Sequence, residues 1–249
     1  MRCRSGFTVP EILAVIAIIV IILSMLMPTL ARARETARKV VCLSQLTQLS
    51  KATIVFATDH ERRLPGVWDS VWVNRSIPGG GCWLSNPPAG QTPWQAAPET
   101  GELFEYVNRD ATPYRCPSII KGVLNSGVGS NGKFDYSAFH SFAGTKMFRL
   151  PGTASVPTYG TMTVRTPWLI EESPWEWLNR GQAEGGFGGG DKIGNWHNGG
   201  GNLASLDGSG LNIPNTLNLT PSSFLAVTPS GATVTLNSHV SGFGGWATR

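Results

Sequence analysis

The sequence predicts an α+β fold: a long N-terminal helix packed on an antiparallel β-sheet head. Three observations carry that prediction. An apolar run lies near the N-terminus, a stripe of apolar residues at helical spacing follows it, and beyond residue 100 short apolar runs alternate with turn residues. Composition agrees. Of 249 residues only 14% are charged, while 30 are Gly and 17 Pro, which excludes a highly charged disordered chain and a coiled-coil rod.

The apolar run justifies the first half of the helix. Sixteen residues from Ile12 to Met27 carry no charge, and the twenty-five from Phe7 to Ala31 are interrupted only by Glu11. At ~1.5 Å per residue this segment can cross a bilayer. Basic residues bracket it: residues 1–39 contain Arg2, Arg4, Arg32, Arg34, Arg38 and Lys39 against Glu11 and Glu35, which accounts for the whole net charge of +4. A basic excess confined to the flanks of an apolar segment points to a membrane surface and away from nucleic acid. A plain anchor and a secretory signal cut near Ala31-Arg32-Ala33 are the ordinary readings. Neither explains the carboxylate, which costs roughly 2.5–3.5 kcal/mol in hydrocarbon on insertion scales and marks function there. Cys3 precedes the apolar run, so it is not placed for lipidation.

Arg2, Arg4, Gly6, Phe7, Thr8 and Glu11, followed by the run from Ile12 to Ile19, resemble the class III leader of type IV pilins and type II secretion pseudopilins. The resemblance covers roughly residues 1–66. It implies that residues 1–6 are a leader cut after Gly6 by a prepilin peptidase on the cytoplasmic face, which then methylates the new amino terminus at Phe7. It also implies that Glu11 meets the positive N-terminus of a neighbouring subunit in a fibre, each charge offsetting the other's desolvation. Residues 7–30 are then the transmembrane and assembly helix. Pro28 lies twenty-one residues beyond Phe7, where pilin helices also carry Pro, and is expected to kink or locally loosen that helix. Pro10 stands close enough to the new terminus to begin it.

Beyond Pro28, the positions Cys42, Leu46, Leu49, Thr53 and Phe56 recur at steps of four, three, four and three, with Leu43 and Ala57 beside them. Residues 31–65 are therefore read as an amphipathic continuation that packs on the head, ended by Asp59 and the breakers Pro65-Gly66. One helix from Phe7 to Asp59 would be ~80 Å long.

Residues 66–249 form the predicted head. Its first part, with Trp68, Trp72, Trp83 and Trp94, reads as irregular loops, and Thr100 is a candidate cap for a short helix to Val107. Strands are expected at 159–164, 168–171, 203–206, 211–213, 224–227 and 232–236. The stretch 185–201, nine of whose seventeen residues are Gly, reads as a surface loop.

Within the head, His197 is followed after nine residues by Asp207-Gly208, and this run resembles the H-x9-DG domain that accompanies class III leaders. Tyr114 to Ser118 and Asp135 to Ser137 add to that likeness. The resemblance implies no catalytic activity. Structurally, Asp207-Gly208 between two short strands reads as a type I′ hairpin turn. His197 either bonds to Asp207 across that hairpin or joins Asp207 and Asp191 around a cation. No cofactor is expected: Ca²⁺ prefers six to eight oxygens and a structural Zn²⁺ four ligands, and the region offers neither list clearly, although the resemblance to pseudopilins, some of which hold Ca²⁺, keeps Ca²⁺ as the alternative.

Three cysteines remain after the leader. Cys82–Cys116 is the preferred disulfide because both fall in loop-like head segments, while Cys42 belongs to the helix stripe as a buried thiol. No enzyme motif stands out, and Glu171-Glu172 is as readily a solvated strand end as a catalytic pair. The resemblance to pilins implies a structural pilin or pseudopilin subunit rather than an enzyme. Its expected partners are the prepilin peptidase and other pilin subunits, and it would sit in a bacterial inner membrane with the head in the periplasm or on an extracellular fibre. The alternative is an anchored glycan-binding protein using Trp175 and Trp177.

Overall fold

The computed structural model describes residues 8–67, 80–84, 86, 97–119, 134–157, 162–172, 186–188, 191–214 and 219–236. Its first element is helix α1, Val9–Asp59. Thr8 precedes it in an extended conformation, and the Glu11 carboxylate accepts hydrogen bonds from the Thr8 amide and hydroxyl, each at 2.7 Å. That arrangement satisfies the start of the helix, and Pro10 costs nothing in a first turn whose amides have no intrahelical partner. The helix is continuous through Pro28. It ends at His60, whose Nδ1 lies 2.8 Å from the Phe56 carbonyl oxygen. Glu61 and Arg62 then turn left-handed (φ 51° and 59°), so that the Arg62 amide reaches back to the Ala57 carbonyl at 2.7 Å. Closing the helix thus falls to these residues, ahead of Pro65-Gly66.

At ~1.5 Å per residue, α1 is about 77 Å long and divides into two environments. The apolar side chains from Val9 to Leu30 are exposed, whereas Cys42, Leu46, Leu49, Thr53, Phe56 and Ala57 are buried against the head together with Ser50 and Ala52. Burial of each large side chain in this stripe is worth about 1.5–3 kcal/mol.

The head holds two sheets. The first contains β1 (Tyr136–Phe139), β4 (Pro167–Glu171), β5 (Gly186–Phe187), β6 (Gly200–Ser205) and β7 (Gly210–Pro214), in the order β5-β1-β4-β6-β7. The second contains β2 (Thr153–Val156), β3 (Met162–Arg165), β8 (Leu225–Val227) and β9 (Thr233–Thr235), in the order β3-β2-β8-β9. All pairs are antiparallel except β1 with β5, which run parallel. Helix α1 packs on β6, β7 and β4. Phe139 joins the two halves of the head, its ring 5.0 Å from Phe187 and 5.3 Å from Phe224.

An α+β layout with one long apolar helix is therefore present, and the single antiparallel sheet becomes two sheets with one parallel pair. Strands β1, β2 and β5 escaped the sequence reading for physical reasons. Strand β1 is buried at every position, which erases the alternation of a half-buried strand, and β2 is four residues rich in small side chains. From Thr100 to Val107 the chain makes 3₁₀ turns (Pro98–Thr100 and Glu105–Val107) instead of a short helix.

The Gly-rich stretch is also corrected. Of its six described glycines, Gly186, Gly188, Gly194, Gly200 and Gly201 are buried and Gly199 is exposed, and two of its segments are strands. Glycine is required by close approach: a Cβ on Gly201 would lie 2.6 Å from the Ile193 side chain and 2.7 Å from the Gly194 carbonyl oxygen. A Cβ on Gly186 would land on the His140 imidazole. Gly201→Ala is accordingly expected to lower stability by about 1–3 kcal/mol. Gly152→Ala, at a site with nothing within 4 Å, should change it by less than about 0.5 kcal/mol. Thermal unfolding of the two variants in detergent checks the difference.

Candidate functional site

The described residues that the H-x9-DG run brings together lie where α1 meets the head. On the helix side, Glu35 and Lys39 continue the buried stripe one notch toward the membrane segment, stepping four and three residues to Cys42. On the head side are Glu171 at the end of β4, Cys116 and Ser118 after the 3₁₀ turn Thr112–Tyr114, and His197 just before β6.

Cys42 is disulfide-bonded to Cys116, with Cα atoms 5.2 Å apart. This corrects the expected Cys82–Cys116 pairing. The stripe that buries Cys42 is the face on which the Cys116 segment lies. Cys82 is buried elsewhere, in an isolated bridge with Gly66, its amide donating to Asn86 Oδ1 at 2.7 Å. The bridge spans 74 residues of sequence and joins helix to head, a loop for which the chain-entropy model gives roughly 4 kcal/mol.

His197, 1% exposed, stands beside that bridge with a carboxylate at each ring nitrogen. Nε2 lies 2.8 Å from Glu171 Oε1 on the sheet, and Nδ1 lies 2.8 Å from Glu35 Oε1 on the helix. Both nitrogens donate only in the imidazolium form. Burial opposes that charge, but the hydrogen bonds and charges of Glu171 and Glu35 outweigh it and raise the His197 pKa above the ordinary histidine value. Glu171 is fully buried, and burial raises its pKa despite His197 and two hydrogen bonds from Asn202. Burial also acts on Glu35, but there the Ser118 hydroxyl, His197 and Arg38 together win and lower its pKa.

Surrounding contacts hold these groups in place. The Asn202 amide donates to Glu171 Oε2 at 2.7 Å, and its side-chain amide donates to the Lys39 carbonyl on the helix at 3.2 Å. The Ser118 hydroxyl donates to Glu35 at 2.6 Å, and Asn198 Nδ2 donates to the Thr36 hydroxyl at 3.3 Å. Further along the helix, Trp168 Nε1 donates to the Thr53 hydroxyl at 2.9 Å.

The other end of the H-x9-DG run grips the helix separately. Of Asp207 and Gly208 only Gly208 has positive φ (79°), the Gly208 amide donates to Ser205 O at 3.0 Å, and Ser205 donates to Ser209 O at 2.8 Å. The turn is thus a three-residue connection with a left-handed glycine, not the expected two-residue type I′ turn. A Cβ on Gly208 would lie 3.1 Å from the Lys51 side chain, and one on Gly210 2.6 Å from Leu43 Cδ1, so the hairpin is pressed against α1.

The cation set Asp191, His197 and Asp207 does not converge. Asp207 accepts from Ser209 and pairs with Arg165 at 3.2 Å, while Asp191 accepts the Gly188 amide at 2.7 Å and is pushed up to about 7 by burial. Among the described residues, the group with metal-ligating atoms gathered within 4.8 Å is Cys42, Cys116, Glu171 and His197. Two sulfurs make it unlike a Ca²⁺ site. Glu171 and Glu172 are both buried, so the solvated strand end is corrected too, and Glu172 accepts from the Ser137 hydroxyl.

Gly6, Phe7, Trp175 and Trp177 lie outside the described residues. Of the described tryptophans, Trp83 and Trp168 are fully buried in the core. Comparison with family models, with curated proteins and with solved structures finds no match to this chain.

Sequence marks Glu171 only together with Glu172, as a solvated strand end or a catalytic pair, and assigns Glu35, Asn202 and Ser118 to no site. For Glu35 a signal existed, since it occupies the register of the apolar stripe. Nothing in the sequence ties Glu171, Asn202 or Ser118 to His197, because only the pairing of β4 with β6 and the placement of Cys116 bring them there.

His197→Ala would leave Glu171 buried without its cation and is expected to cost about 3–5 kcal/mol. Because the folded His197 pKa is raised, its contribution is fully present below about pH 6.5 and is lost as pH rises through the folded value. The stability gap between wild type and His197→Ala should therefore be widest on the acidic side of neutrality and shrink toward pH 9. Thermal unfolding across pH tests this, and a gap constant over that range would contradict the charged-histidine assignment.

Proposed function

We propose that this protein is a membrane-anchored structural subunit of a type IV pilin or pseudopilin-like fibre, assembled through its N-terminal helix. One observation carries the reading: α1 is a single continuous helix whose first half is apolar and entirely exposed, while its second half is clamped by the head. That exposed half is long and apolar enough to cross a membrane. The apolar half needs a partner, and lipid before assembly and neighbouring helices after it are the two surroundings that fit a bare helix of this length.

Glu11 fits the same reading. In the isolated chain its carboxylate is held by Thr8, at the very start of the helix. After cleavage behind Gly6, an incoming subunit's N-terminal amine would compete for that carboxylate, exchanging a local cap for a contact between subunits. The head supplies the lateral surface and, through its double grip on α1, transmits load to the helix.

Mass spectrometry of the mature protein tests the processing step: the chain should begin at Phe7 carrying one added methyl group. Glu11→Ala should leave that processing intact while abolishing recovery in fibres with other subunits. A mature protein beginning at Met1 or at Arg34 would overturn the reading.

A further inference from the structure

The geometry points to a second state of the helix–head junction: when the Cys42–Cys116 disulfide is reduced, Cys42 Sγ, Cys116 Sγ, His197 Nε2 and Glu171 Oε1 form a four-coordinate site for a zinc-class divalent cation. This does not rest on the fibre reading, since it concerns only how one head holds its own helix.

The four ligand atoms come from four separate parts of the chain, α1, the Cys116 segment, β4 and the loop before β6, yet all lie within 4.8 Å of one another. A tetrahedral Zn²⁺ site has Zn–S near 2.3 Å and Zn–N or Zn–O near 2.0–2.1 Å, which sets ligand-to-ligand edges of roughly 3.3–3.8 Å. Cys116 Sγ to His197 Nε2 is 3.5 Å, already such an edge. The His197 to Glu171 edge, 2.8 Å while the two share a proton, must open slightly, and loss of the S–S bond lets the sulfurs part. Two sulfurs, one imidazole and one carboxylate suit Zn²⁺, and Mg²⁺ and Ca²⁺ poorly.

The outer contacts are those a metal site needs. Glu35 lies on Nδ1 of His197, so the ring keeps its proton there and offers Nε2 to the metal, a carboxylate–histidine–metal relay. The Asn202 amide holds Glu171 Oε2 and leaves Oε1 aimed at the cluster. Of the four ligands, Cys116 borders a surface pocket of about 690 Å³, lined also by Val41, Gln45, Arg115, Pro117 and Ile119.

The step balances as two reactions. A dithiol reductant supplies two electrons and two protons, the S–S bond breaks, and two thiols form while the reductant becomes a disulfide. The cation then displaces both thiol protons and the Nε2 proton of the imidazolium, releasing three protons to solvent as two M–S bonds, one M–N bond and one M–O bond form. Helix and head stay joined in both states, by a covalent bond in one and by the metal in the other.

The test uses full-length protein in detergent, oxidised or reduced with a phosphine, titrated with Co²⁺ as a spectroscopic stand-in for Zn²⁺. Reduced wild type should bind one equivalent, with thiolate-to-cobalt charge transfer and the visible bands of a tetrahedral site, both lost on adding Zn²⁺. Oxidised protein and Cys42→Ser with Cys116→Ser should show neither. Glu35→Gln, which touches no metal, should weaken binding about 10- to 100-fold while leaving the cobalt spectrum tetrahedral. Glu171→Gln should weaken binding and alter the spectrum, and it serves where His197 variants do not fold. Reduced wild type that keeps its circular dichroism but binds no Co²⁺, or binds it as well without the two cysteines, would overturn the site.

Discussion

A buried histidine between two carboxylates governs the rest of this structure. Glu35 belongs to the long helix, Glu171 to the sheet, and His197 lies between them, so the positive charge that satisfies both acids also ties the two halves of the molecule together. Removing His197 leaves the Glu171 carboxylate buried without its cation, which is why such a group fixes one docking of helix on head more sharply than apolar packing alone. The stripe of Leu46, Leu49 and Phe56 supplies the energy of contact, but apolar surfaces tolerate sliding by a helical turn, and the Glu35–His197–Glu171 contacts do not.

The Cys42–Cys116 bridge adds a covalent tie two turns along the helix from Glu35, and the β6–β7 hairpin presses on Lys51 and Leu43 farther down. Together these hold the second half of α1 along much of its buried length. The first half is left bare. A helix rigidly held at one end and free at the other is a lever: force applied along the apolar half reaches the head through charge, disulfide and hairpin, and not through a flexible linker. The same junction also gathers Cys42, Cys116, Glu171 and His197 within 4.8 Å of one another, so the groups that grip the helix include a disulfide.

The two roles of Glu11 and Glu35 show how one side-chain type serves opposite ends of α1. Glu11 is held by Thr8 at an exposed helix start, where its partner can be exchanged. Glu35 is held by Ser118, His197 and Arg38 at the head, where burial and three partners keep it in place. The difference lies in surroundings, since neither residue differs chemically from the other.

Sequence alone determined the long helix and its division into a bare apolar half and a striped half, because helical periodicity is a local property that neighbours in the chain express. It also determined where most strands lie. Tertiary structure alone decided that Cys42 pairs with Cys116, that Asp207 stays apart from His197, that five glycines of the Gly-rich stretch are interior, and that Glu171 rather than Asp191 joins the cluster. The contacts that build the cluster join residues 26, 74 and 162 positions apart: Glu171 with His197, Cys42 with Cys116, and Glu35 with His197. Spacing along a chain carries no information about such pairs. They follow from how strands register and which helix face the sheet covers.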